Sequence, residues 1–228
     1  MISGTIDRTC RKVLDELISN NYEIKTIYDI GANDGRWMRK WSMHLPDAQF
    51  IMFEANPENI VIPRSGDLFF NQTLSSVDDT SFTFHMSDQG KENTGNSYYK
   101  ELTCNYTEGN TIEVIAKKLD TFVNLKKLPK PDFMKLDTQG AEVDIILGAN
   151  ETIKDCKIIL IEVPVMRYNE GAPKFSQYIN TLYDYGFVPT GVDHIAIRKG
   201  ILNQMDIVFL NKTIADEIHK YTERYKGF

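Results

Sequence analysis

TIYDIGANDGRW, residues 26–37, runs from an apolar, β-rich segment into an acid, Asp29, then through two glycines that bracket Ala32, Asn33 and Asp34, and on into a helical stretch. Glycine tolerates the left-handed backbone that a tight strand-to-helix turn demands. The segment therefore reads as a strand (25–30), a loop, and a helix (35–45) with Trp37, Met38 and Trp41 on one side. The pattern continues downstream. AQFIMFE (48–54) is a second strand ending on Glu54, and NPENI starts a short helix with Asn56 as its cap and Pro57 at its first position. DLFFNQTLSS (67–76) reads as a third strand, SFTFHM (81–86) as a half-exposed one, and TIEVIAKKLDTFV (111–123) contains another. DFMKLD (132–137) and KIILIEV (157–163) are buried strands. Helices are expected over 140–149, 174–186 and 212–226, with strands near 187–197 and 205–210. Upstream, Ile6, Val13, Leu14, Leu17 and Ile18 recur near helical spacing in 5–19. Residues 1–22 are thus expected to supply a helix packed on a core domain of 23–228.

Strands alternating with helices imply an α/β fold whose mostly parallel sheet carries helices on both faces. Right-handed crossovers gather the carboxyl ends of such strands along one edge, where ligands bind. The acids that terminate apolar strands, Asp29, Glu54, Asp137 and Glu162, are then expected to face one crevice.

Composition limits the partners. The chain has 228 residues, with 42% hydrophobic, 25% charged and a formal net charge of −6. That length buries a core without staples, and the acidic balance argues against a duplex nucleic-acid surface. Cys10, Cys104 and Cys156 are odd in number, widely spaced and not at zinc-ligand spacing. A reducing compartment fits them. The first residues lack the apolar stretch of a signal peptide, and no apolar run reaches the ~20 residues that span a bilayer. The expectation is a soluble cytoplasmic protein without membrane insertion. Its oligomeric state is not readable from the sequence.

The loop chemistry selects a cofactor class. A dinucleotide fingerprint, G-x-G-x-x-G, lets backbone approach a pyrophosphate. Here Asn33 stands where the middle glycine would be, and the charge of Asp29 at the mouth disfavours phosphate. S-adenosylmethionine carries an ammonium and a sulfonium and no phosphate, so it suits the loop better than NAD does. Backbone N–H groups at the helix start are expected to hold its carboxylate. Glu54 follows Gly35 at about the spacing from which an acid reaches a ribose diol.

Two segments carry a family resemblance. YDIGANDGRW resembles the first motif of class I methyltransferases, and FMKLDTQGAEVDIILGA (133–149) resembles the hallmark of the FkbM-type family, approximately K-I-D-x-E-G-x-E followed by a short helix and G-A. Lys135, Leu136, Asp137, Gln139, Gly140, Ala141, Glu142, Gly148 and Ala149 carry the match. LDTFV (119–123), IILIEV (158–163) and NQMDIVFLN (203–211) are similar to flanking segments. The chain departs from the family at Gln139, where an acid is common. The resemblance implies a single-domain, Rossmann-like class I methyltransferase fold with a seven-stranded sheet, and S-adenosylmethionine-dependent O-methylation of hydroxyls on sugars or natural products. It implies cofactor contacts at Asp29, Gly31, Ala32, Asn33, Gly35, Glu54, Leu74, Ser75 and Asp137. TGNS (94–97) adds Ser97.

Methyl transfer to a hydroxyl needs in-line placement and removal of a proton. Asp137 is the leading base, with Glu162 as a second base or as its partner. Lys135 leaves the strand on the same side as Asp137, and His194 in GVDHIAI is expected at the active-site rim. A divalent ion on Asp137, Glu142 and Glu162 is chemically feasible, but nothing in the spacing requires it, and none is assigned. Tyr98, Tyr99 and Tyr106 in the polar stretch 87–110, and Arg167 and Tyr168 after Glu162, are candidates for the acceptor side. The acceptor is read as a small molecule or glycan. The alternatives are a non-sugar natural product, a nucleic-acid terminus, a silent cofactor-binding module or a nicotinamide-dependent oxidoreductase.

Overall fold

The computed structural model describes residues 9–86, 95–102 and 110–218. Helix α1 (Thr9–Ser19) leads into β1 (Thr26–Ile30), α2 (Arg36–Trp41), β2 (Gln49–Glu54), β3 (Leu68–Asn71), β4 (Thr73–Leu74), β5 (Thr80–His85) and β6 (Thr111–Lys117). Then come α3 (Leu119–Lys126), β7 (Phe133–Leu136), α4 (Glu142–Leu147), β8 (Ile158–Pro164), α5 (Phe175–Asp184), β9 (Phe187–Arg198), β10 (Ile201–Asn211) and α6 (Lys212–Ile218). The main sheet has seven strands in the order β3-β2-β1-β7-β8-β10-β9. All its pairings are parallel except those of β10, which runs antiparallel to β8 and β9. The strand order reverses direction between β1 and β7, and the crevice above such a switch point is where open α/β sheets take ligands.

Apolar layers cover both faces. One packs α3, α4 and α5 through Leu119, Phe122, Ile146, Tyr178 and Leu182. The other packs α1, α2 and α6 through Leu14, Leu17, Met38, Trp41 and Ile218. Leu14 and Leu17 are almost wholly buried, each contributing roughly 1.5–3 kcal/mol. The α1 N-terminus is tied to β9 by the Cys10 N–H, which donates to Asp193 Oδ1 at 2.8 Å. Trp37 and Trp41 of α2 pack edge-on against Phe133 of β7. Among the described residues no helix is long and apolar enough to cross a membrane.

Several local expectations change. The third strand does not run through 67–76. It ends at Asn71, and β4 leaves to pair with β6 in a separate three-stranded sheet, β4-β6-β5. Gln72 makes the corner: its N–H closes the main sheet on Glu54 O at 2.9 Å, and its side-chain amide bridges Thr73 O and Ile115 O. NPENI forms a turn instead of a helix. Asn56 Oδ1 accepts the Glu58 N–H at 3.0 Å, a side-chain turn that competes with helix. The β-branched run Ile60-Val61-Ile62 before Pro63 then favours extended backbone. Residues 119–126, read only as the tail of a strand segment, form α3. Of the final helix, Lys212–Ile218 is described. Residues 1–8, Thr94, Cys104, Tyr106 and His219 lie outside the described residues.

Candidate active site

Side chains alternate between sheet faces, so every second residue of a strand shares one face. Ile27, Phe50, Met52, Phe133, Leu160, Val208 and Leu210 all belong to the layer under α1, α2 and α6. Continuing each of these rows to the upper edge gives Asp29, Glu54, Lys135, Asp137, Glu162 and Asp206. The acids at the strand ends are thus the polar continuation of one apolar face. Of these acids Glu54, Asp137 and Glu162 line a cavity of about 340 Å³, together with Gly31 and Asn33 among others, and Asp29, expected in the same crevice, does not.

At the glycine loop, Gly31 has φ 79°, and a Cβ there would stand 1.9 Å from the Asp137 carbonyl oxygen. Only glycine allows β1 and β7 to approach so closely at their ends. Gly35 (φ 75°) packs against Val61, and Ala32 is buried beneath the loop. Five N–H groups of the loop and helix start are spent within the protein. Gly31 and Ala32 donate to Phe53 O, Gly35 to Ala32 O, Asn33 to Glu54 Oε2 at 2.7 Å, and Arg36 to Asp34 Oδ1. That none of these five remains for an anion leaves a ligand carboxylate only the other N–H groups of the loop and helix start. It also argues against a pyrophosphate at this loop.

Glu54 is held from both sides, Oε2 by Asn33 N–H and Oε1 by Asn56 N–H at 2.8 Å. Burial raises its proton affinity, and these backbone bonds pull it back down. Each oxygen keeps a second lone pair toward the cavity.

Asp29 is wholly buried, and among the described residues no well-aligned hydrogen bond reaches its oxygens. Its compensation is Lys135, whose Nζ lies 3.2 Å from Asp29 Oδ1 and 3.4 Å from Asp137 Oδ2, and donates to the Gly31 carbonyl at 2.9 Å. Burial alone would lower the lysine's proton affinity; the carboxylates of Asp29 and Asp137 outweigh it and the net direction is up. Asp29 itself is raised by burial, with Lys135 opposing. Asp29 and Lys135 sit behind the cavity wall and do not line it.

Asp137 lines the cavity with 41% of its side chain exposed. Gln139 Nε2 donates to Asp137 Oδ1 at 3.1 Å and to Glu162 Oε1 at 2.8 Å. Glu162 also accepts from Gln204 Nε2 on its other oxygen, and Tyr168 OH lies 3.4 Å from Oε1 while donating to Gln204 Oε1 at 2.9 Å. Burial, followed by Asp137, Asp206 and Glu142, raises the Glu162 proton affinity well above that of a free glutamate. Glu142 points away from the cavity. It accepts from Thr138 N–H, Gly140 N–H and Tyr178 OH, and so cinches the loop before α4. This leaves no room for the Asp137–Glu142–Glu162 ion considered from the sequence.

Leu74 and Ser97 line the cavity, whereas Ser75 is buried behind it. Tyr98 lines it too, stacked on Phe82 at 4.7 Å. His194 is not brought to the cavity; half exposed on β9, it faces Asp206 at 3.9 Å. Arg167 is exposed. The residues that sequence reasoning missed are Gln72, Asn59, Arg198, Asn203 and Gln204, which line the wall, and the bridging role of Gln139. NQMD in 203–206 held the one available signal: polar residues entering an otherwise apolar strand.

Among the described residues the cavity wall thus carries the carboxylates Glu54, Glu101, Asp137 and Glu162 against a single cationic side chain, Arg198. With this excess of carboxylates and five loop amides already engaged, the cavity fits a cationic nucleoside such as S-adenosylmethionine better than a dinucleotide.

The sequence itself is similar to known methyltransferases. A family model described as "Methyltransferase FkbM domain" matches residues 29–189. The 2-O-methyltransferase NoeI of Sinorhizobium fredii (strain NBRC 101917 / NGR234) is 26% identical over 189 residues, covering 73% of this chain and 76% of that protein. Among solved structures, methyltransferase FkbM from Methylobacillus flagellatus KT aligns with a TM-score of 0.47 at 9% identity, over 82% of this chain and 43% of that one. Magnesium protoporphyrin IX methyltransferase (ChlM) from Synechocystis PCC 6803 with bound SAM aligns with a TM-score of 0.46 at 8% identity, over 89% and 77%.

Proposed function

Because the chain belongs to the FkbM methyltransferase family, we propose that it moves the methyl group of S-adenosylmethionine onto a hydroxyl oxygen, with a sugar or glycan hydroxyl as acceptor. The 2-O-methyltransferase relative supports transfer to oxygen. The cluster of amides and carboxylates around Asp137 supports a polyhydroxylated acceptor, because such groups pair well with hydroxyls.

Bound in the cavity, the donor supplies an electrophilic methyl on a positive sulfur. The chain does the rest. Glu54 accepts from the ribose hydroxyls with the lone pairs that its backbone partners leave free. Gly31 lets the ends of β1 and β7 close on each other beside the cavity. Asp29 and Lys135 fix the floor, Leu74 and Ser97 wall the cofactor in, and the glutamate, aspartate and tyrosine groups present negative charge or π-faces to the cation. Asp137 would take the acceptor's proton as the acceptor oxygen receives the methyl group, leaving the donor as the neutral thioether. It is favoured over Glu162 because its side chain is 41% exposed and its oxygens face one donor each, Gln139 and Lys135, whereas Glu162 Oε1 faces both Gln139 and Tyr168 and Oε2 accepts from Gln204.

The observation that carries this reading is the accessible Asp137 carboxylate at the β1/β7 switch point. Its test is an isotope-labelled methyl-transfer screen over mono- and oligosaccharides, paired with calorimetry. Asp137→Asn is expected to cut transfer by about 10²–10⁴-fold while S-adenosylmethionine still binds. Glu54→Ala is expected to lose most of the cofactor affinity. Transfer undiminished in Asp137→Asn, or cofactor binding undiminished in Glu54→Ala, refutes the corresponding role. Labelling of non-sugar hydroxyls alone moves the acceptor to another natural-product class.

A further inference from the structure

Gln139 stands in an unusual backbone state, φ 56°, immediately before Gly140 at φ 110°. Three contacts hold it there: Asn169 Nδ2 donates to the Gln139 carbonyl, and Glu142 accepts the N–H groups of Thr138 and Gly140. A left-handed non-glycine residue costs free energy that the surroundings must supply, and here they aim one side chain. The Gln139 carboxamide nitrogen places one N–H on Asp137 Oδ1 at 3.1 Å and the other on Glu162 Oε1 at 2.8 Å. The two acids come from adjacent parallel strands, so without a donor between them they would face each other as like charges.

Resting on the reading of Asp137 as the base, we propose that Gln139 is a positioning residue: its amide bridges Asp137 and Glu162, fixes the two carboxyl groups relative to each other, and opposes protonation of Glu162 before the acceptor's proton arrives at Asp137. A neutral donor does this without adding a charge. An acid at 139 would put a third carboxyl into the cluster, and a shorter amide would not reach both oxygens. The groups around Glu162 make the lock consequential. Asp137 and Lys135 face it from β7, Glu142 from α4, Asp206 from β10, Tyr168 from the segment after β8 and Tyr178 from α5. Lys135 is the one cation among them, and it is engaged by Asp29 and Asp137.

Gln139→Asn and Gln139→Glu test the lock. Asparagine tolerates the left-handed backbone, and glutamate keeps the length. The readout is the carboxyl ¹³C titration of Glu162 in labelled protein, with thermal melts and S-adenosylmethionine affinity as fold controls. The Glu162 midpoint is expected to rise by about one pH unit in Gln139→Asn and further in Gln139→Glu, with cofactor affinity changed less than about threefold. The acid limb of kcat/KM should follow it upward. An unmoved Glu162 midpoint in either folded variant overturns the proposal, since a merely structural role would alter melting alone. Absence of methyl transfer to any hydroxyl would instead defeat the proposed function, and the titration would still decide the lock.

Discussion

Lys135 joins the two halves of the candidate site at the scale of one nitrogen atom. It neutralises an aspartate that, among the described residues, no well-aligned hydrogen bond reaches, approaches the candidate base, and holds the carbonyl of the glycine loop. With Lys135 and Asp29 at 7% and 0% side-chain exposure, removing one partner strands a buried charge. Lys135→Met is expected to cost about 3–5 kcal/mol in urea unfolding, and the double variant Lys135→Met/Asp29→Leu to recover much of it. Equal losses in single and double variants would show that the pair is not coupled. The strand-end acids were legible in the sequence because apolar runs that stop on a carboxylate mark strand ends, and the sheet aligns those ends. Gln139, Gln204 and Tyr168 were not legible as a network. Their meeting depends on the antiparallel register that sets Asp206 opposite Glu162 and on the positive φ of Gln139, and neither leaves a residue-type signature. His194 failed for a related reason. The strand was foreseen, but its register with β10 leaves the imidazole half exposed beside Asp206, away from the cavity.

At the scale of elements, β1, β2, β7 and β8 were readable from hydrophobicity alone because strands buried on both faces form continuous apolar runs. The small sheet β4-β6-β5 was not, since its existence turns on one corner at Gln72 and its strands alternate exposed and covered residues. Helix α3 was hidden by the β-branched run before it. The described part of the long polar stretch, residues 95–102, proves to be a strap across the cavity. It pairs with β5 through His85 and Ser97, and with the segment after β8 through Leu102 N–H to Tyr168 O at 2.6 Å and Glu170 N–H to Lys100 O at 2.8 Å. The Tyr98 and Tyr99 hydroxyls both donate to Asp144 Oδ2 of α4, at 3.0 and 2.7 Å. Hydrogen bonds to a charged acceptor are worth about 1.5–3 kcal/mol each, so the tyrosine pair is the main anchor of the strap on α4. Tyr98→Phe/Tyr99→Phe is expected to speed amide exchange at Ser97 and Leu102 by at least about tenfold, with exchange in β7 and β8 unchanged. Equal protection in the variant would show that the backbone pairings alone hold the strap.

At the scale of the whole molecule, the chain has a net charge of −6, and several of its acids are buried where ionisation is costly. Asp29, Glu54, Glu142, Glu162 and Asp206 are all raised in proton affinity chiefly by burial. Asp206 is pushed up to about 7 by burial, then by Asp137 and Asp193, with Lys135 opposing. An acid with a raised folded pKa binds its proton more tightly folded than unfolded, so stability falls as pH rises between the two values. For Asp206 the contribution is complete below an unfolded pKa of about 4 and is lost as pH climbs through about 7. Asp78 and Glu113 work in the opposite sense. Asp78 is lowered first by the Lys118 N–H, and Glu113 by Ser81 and then Thr83. Their contribution vanishes only as pH drops below about 4. Urea melts should therefore place maximal stability on the acid side of neutrality, near about pH 4–5, with a decline toward about pH 7. Asp206→Asn cannot ionise and should flatten that decline, gaining roughly 1–3 kcal/mol over the parent at about pH 8. A parent whose stability rises from pH 5 to pH 8, or a variant whose decline is as steep as the parent's, would mean that the buried acids are neutralised by partners that outweigh their desolvation.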